Sequence, residues 1–88
     1  MAVNDLLEAL AEENPEAIFF TGLEEAIVGV ARQWSKKPLV VYGAERIIRV
    51  FMEREGMSRE DAEEWFSFNV QCLWAGEGTP LILETVDT

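Results

Sequence analysis

The segment REDAEEWFSFNVQCLWA, residues 59–75, has the spacing of a helix whose second half is apolar on nearly every side. Trp65, Asn69 and Cys72 fall on one line of that helix, Phe66, Val70 and Leu73 on a second, and Phe68, Cys72 and Ala75 on a third. A helix of this kind is either central in a core or covered by a second chain. The chain has 88 residues, and a chain of that size buries only about 60–65% of the surface its unfolded form exposes. Such a thin core cannot easily enclose a helix all round. The expectation is therefore a homodimer, with Trp65, Phe68 and Cys72 of this helix or the open sheet face as the contact.

The rest of the chain reads as a single domain, residues 1–88. Residues 2–13 carry Val3, Leu6, Leu7 and Leu10 at the spacing of one helix face, with Asp5, Glu8 and Glu12 opposite. Asn14-Pro15 breaks that helix, because the residue before a proline avoids helical backbone angles. The same pair opens a short helix over 15–21, with Asn14 as its cap, Pro15 as its first residue and Gly22 as its stop. Residues 26–33 and 39–43 are β-branched runs separated by Ser35-Lys36-Lys37-Pro38, which predicts an antiparallel hairpin. Gly29 inside the first run marks a bulge or a close backbone approach. Residues 44–55 read as a helix with Ala44, Ile47, Ile48 and Phe51 on one face. Glu45–Arg49 and Arg49–Glu53 form helical pairs outside, and Gly56 is the terminal cap. Ser58 opens the 59–75 helix with Asp61 three residues on. Gly76-Glu77-Gly78-Thr79-Pro80 ends it, and residues 81–86, LILETV, form a third strand. The last residues are expected to fray. The fold class is α+β: a small three-stranded, mainly antiparallel sheet with helices packed on one face.

Charge excludes several functions. The net charge is −10, unevenly spread. Residues 1–25 and 60–88 hold seven acids each and no base, while 26–59 hold all seven bases and three acids. Direct nucleic-acid binding needs clustered Lys and Arg, so it is not expected. The corner Gly56-Met57-Ser58 resembles a helix-turn-helix, but Glu60, Asp61, Glu63 and Glu64 would face phosphate. Those acids suit the positive end of a helix, and no loop of alternating oxygen ligands accompanies them, so no metal site is assigned. The acidic surface is either a solubilising feature or a face that competes with nucleic acid for a basic partner.

There is no histidine, which removes His-dependent triads and His-ligated metals. The single cysteine, Cys72, allows no intrachain disulfide, and a small domain without one suits a reducing compartment. No signal sequence and no membrane-length apolar run is visible, so the cytoplasm is expected, with no membrane contact. Gly76-Glu77-Gly78-Thr79 is not a phosphate loop: it follows a helix, and an acid stands where lysine would be. No cofactor is assigned. Asn69 is the odd residue in an apolar helix, and a buried amide there needs partners. It either pins a nearby loop or lines a small polar pocket with Tyr42, Glu77 and Thr79, beside Trp74. Asn69 and Glu77 are expected to lie close together and fix the turn.

The motifs PEA at 15–17, GLEEAIVGV at 22–30, VVY at 40–42, REGMSREDAEEWFSFNV at 54–70 and WAGEGTP at 74–80 together resemble a family of small uncharacterised proteins of phage and bacterial genomes. The likeness spans most of residues 15–84. Two positions depart from it: Gly43-Ala44, where the family favours Asp-Tyr, and Gln71-Cys72, where relatives carry Thr, Ser or Ile followed by Gly. The resemblance implies a phage or prophage context and carries no catalytic residue. The expected function is a non-enzymatic cytosolic accessory protein that binds another protein. The alternatives are an acidic nucleic-acid mimic that inhibits a host protein, and an enzyme or small-ligand binder using a pocket near Asn69 and Glu77.

Overall fold

The computed structural model describes residues 3–86. Ala2, expected to begin the first helix, and the expected frayed end at 87–88 lie outside the described residues. The order is α1 (Val3–Glu13), β1 (Ile27–Ala31), β2 (Leu39–Gly43), α2 (Ala44–Glu55), α3 (Arg59–Phe66), a π turn (Ser67–Gln71) and β3 (Leu81–Leu83). The fold is α+β with three strands ordered β1-β2-β3.

The sheet is mixed, and the expected mainly antiparallel character holds only loosely. β1 and β2 form the expected hairpin, with Val30 opposite Val40 and Ala31 opposite Leu39. β3 instead runs parallel to β2, with Val41 opposite Leu81. The reason is topological. Two helices separate β2 from β3, and this crossover returns the chain to the end where β2 began. The register of β1 slips between Ile27 and Gly29, so the glycine does mark a bulge. The expected strand 26–33 shortens to Ile27–Ala31, because Glu24–Ala26 wind into a 3-10 turn. The expected strand 81–86 shortens to three residues.

The core lies between the helices and one sheet face. Leu10 of α1, Val40 and Tyr42 of β2, Ile47 of α2, and Ala62, Phe66 and Val70 of the last helical segment are all buried. Gly56 ends α2 at φ 67°, a left-handed angle that glycine adopts without a Cβ clash. Ser58 then caps α3 by accepting from the Asp61 amide. The expected pairs Glu45–Arg49 and Arg49–Glu53 form no ion pair among the described residues; Glu45 instead takes a two-pronged bond from Arg59, across the α2–α3 corner. That contact holds the Glu45 carboxyl below its usual range.

Residues 15–21 form no helix. Asn14 Oδ1 accepts from the Glu16 amide and the chain turns once. It then continues without regular structure, with the Ile18 amide donating to Gly78 O at 2.9 Å. Seven residues cannot easily offset helix nucleation. Packing Phe20 on Tyr42 wins instead: the rings stand 4.9 Å apart, and the Phe20 amide donates to the Tyr42 hydroxyl.

Candidate functional site: two uncovered apolar surfaces

The expected helix 59–75 is α-helical only to Phe66 and then widens into the π turn. Asn69 supplies a cause. Its Nδ2 donates to the Trp65 carbonyl at 3.1 Å, the acceptor that a regular helix gives to the backbone amide of residue 69. Asn69 is exposed, so the expected buried amide is not there.

Only one side of this segment reaches the core. Ala62, Phe66 and Val70, four residues apart, are buried. Trp65, Phe68 and Cys72 stand on the solvent side. Phe68 is 74% exposed, Cys72 is exposed, and Trp65 is half-covered by Phe51, ring to ring at 4.2 Å. Asp61 and Glu64, one helical turn back, frame this stripe with acid.

A second apolar surface surrounds the Gly-Glu-Gly turn. A groove of about 1030 Å³ runs between the hairpin loop and residues 70–84. Leu39, Val70, Leu73, Trp74 and Leu81 supply apolar lining; Lys36 and Lys37 line it from the hairpin loop, Glu77 and Glu84 from the segment after the π turn, and Arg32 and Glu16 line it as well. Trp74 is 71% exposed. The groove continues through Ala31 and Leu81 onto the open sheet face, where Val28, Leu81 and Leu83 are exposed.

The turn itself is structural. The Thr79 hydroxyl donates to Gly76 O at 2.7 Å and accepts from the Ala75 amide at 2.8 Å. A Cβ on Gly78 would run into the Glu16 carbonyl oxygen, so the turn lies directly on the Asn14–Ile18 segment. The structure thus brings Trp74, Glu77 and Thr79 to one groove. It does not bring Asn69 or Tyr42 there. Asn69 bonds to Trp65, and Tyr42 is wholly buried in the core, where burial raises its hydroxyl pKa. No hydrogen bond among the described residues joins Asn69 to Glu77.

The buried amide that sequence reasoning missed is Asn14, 3% exposed. Its Nδ2 donates to the Pro38 carbonyl at 2.9 Å, tying the end of α1 to the hairpin. The Asn-Pro pair was the available signal, but it serves a turn as well as a helix start. Trp34 was also missed: it is 93% exposed at the hairpin tip, the position where a sequence reading sees only a polar loop.

Among the described residues no three Cys, Asp or Glu side chains converge to hold a metal ion, and no helix is long and apolar enough to cross a membrane. No protein-family model matches the chain, and neither a curated protein nor a solved structure matches it.

Proposed function

We propose that the chain is a non-enzymatic accessory protein, of phage or prophage context, that acts in a reducing cytoplasm by binding another protein through the α3 stripe. The supporting observation is the exposure of Phe68 between the half-covered Trp65 and the exposed Cys72, on a segment whose opposite side is core. Aromatic residues left in water this way are characteristic of contact surfaces. The acids beside the stripe favour a partner that offers an apolar cleft with basic residues at its rim.

The nucleic-acid mimic has less support. Such a mimic needs carboxylates ranked along one face, whereas here α1, α2 and α3 all carry exposed acids, as do Glu77 and Glu84. The small-ligand reading keeps the groove but loses Asn69 and Tyr42 as lining residues, and the Thr79 hydroxyl is already engaged in the turn.

The test is alkylation of Cys72, whose thiol is exposed, followed by capture of partners from the host lysate. A partner retained by the untreated protein and lost after alkylation supports the stripe. Equal retention by both forms contradicts it.

A further inference from the structure

Lys36 and Lys37 form no ion pair among the described residues, and both line the groove from the hairpin loop. Glu77 and Glu84 line it from the segment after the π turn, Glu84 held by a 3.0 Å bond from Gln71. The rest of the lining is mixed: Leu39, Leu73, Trp74 and Leu81 are apolar, while Arg32, Glu16 and Gln71 are charged or polar. Trp34 lies between two lining residues, Gln33 and Ser35, yet does not line the groove itself. Its indole is 93% exposed. The turn that presents it is closed by the Lys36 amide on Gln33 O at 3.0 Å, and it places Ser35 at φ 65°. A left-handed angle at a non-glycine residue carries strain.

We infer that the groove is filled by a second copy of this chain, in an isologous dimer built by reciprocal insertion of Trp34. Three features favour a second copy over an unrelated partner. The surface carries a projecting aromatic beside an apolar recess, so one patch supplies both halves of the contact, as a twofold axis requires. Its lining carries both signs on different segments, lysines on the hairpin loop and glutamates after the π turn, so the same axis can set Lys36 and Lys37 of one copy against Glu77 and Glu84 of the other, twice. Finally, a chain of net charge −10 repels its own copies, and this rim offers two bases, Lys36 and Lys37, that no acid of the same copy pairs among the described residues. The groove's continuity with Val28, Leu81 and Leu83 extends the contact across the open sheet face. This leaves the α3 stripe free for the partner proposed above, and the two surfaces are separable by mutation.

Sedimentation of the full chain over a micromolar range tests the dimer. The wild type sediments as a dimer. Trp34→Ala raises the dissociation constant by about 30-fold or more, as loss of a buried aromatic anchor does. It leaves the far-ultraviolet dichroism unchanged, because the side chain touches little of its own fold. Two charge-reversed chains, Lys36→Glu/Lys37→Glu and Glu77→Lys/Glu84→Lys, are each monomeric alone and form a heterodimer when mixed. Phe68→Glu remains dimeric, so loss of the α3 partner and loss of the dimer are told apart. A monomeric wild type at hundreds of micromolar overturns the inference. So does a dimer indifferent to Trp34→Ala, or a failure of the two charge-reversed chains to pair. A monomer whose capture of a host protein depends on Trp34 also overturns it, and assigns the groove to that protein.

Discussion

Asn14 and Asn69 carry the same side chain in opposite circumstances. Asn14 is buried and joins two segments 24 residues apart, through Pro38 O and the Glu16 amide. Removing a buried amide strands its partners, so Asn14→Ala is expected to cost about 1–3 kcal/mol. Asn69 is exposed and bonds only within its own helix turn, so Asn69→Ala is expected to change stability by less than about 0.5 kcal/mol. Urea unfolding of the two variants checks the ranking, and equal losses would contradict it. Sequence reasoning placed the buried amide at 69 because an apolar neighbourhood implied burial. It could not show that the apolar neighbours themselves face water. At position 14 the local pattern, Asn before Pro, was legible as a break, but its long-range bond to Pro38 depends on how the hairpin folds back.

At the scale of elements, what is governed by local pattern was readable. The apolar faces of α1 and α2, the hairpin, the Gly56 stop and the Ser58 cap all follow from residues within a few positions of one another. What depends on distant contact was not. The 15–21 helix yields to the Phe20–Tyr42 contact and the Gly78 bond, and the direction of β3 follows from the two-helix crossover. The Gly76–Thr79 turn shows this dependence most sharply, since Gly78 is required by a carbonyl some 60 residues away in sequence. Gly78→Ala forces backbone to separate from backbone and is expected to destabilise by about 1–3 kcal/mol. Glu77→Ala, one residue away with its side chain in the groove, is expected to be near neutral. Thermal unfolding of both decides. A harmless Gly78→Ala would mean that the turn does not rest on the Asn14–Ile18 segment.

For the whole molecule, acidity dominates. The ion pairs Arg59–Glu45 and Arg32–Glu13 are exposed, and the arginine contact lowers each carboxyl's pKa from its ordinary value. A carboxylate with a lowered folded pKa stabilises fully above its unfolded pKa, and this contribution is lost as pH falls through the folded value. The Tm gap between wild type and Glu45→Gln is therefore expected to be small and positive at neutral pH, and to close as pH falls below about 4. A difference is the right readout, because relief of self-repulsion at low pH moves the absolute Tm the other way. A gap that widens on acidification would contradict the assignment. The same excess of acid is the reason we propose a partner with basic character for the aromatic stripe, and a dimer contact at the lysine-bearing rim. The most direct measurement is parallel capture from host lysate with wild type, Phe68→Glu and Trp34→Ala. A shared partner held by wild type and Trp34→Ala, and lost by Phe68→Glu, is the predicted result. Retention of the same partners by Phe68→Glu would contradict binding through the α3 stripe.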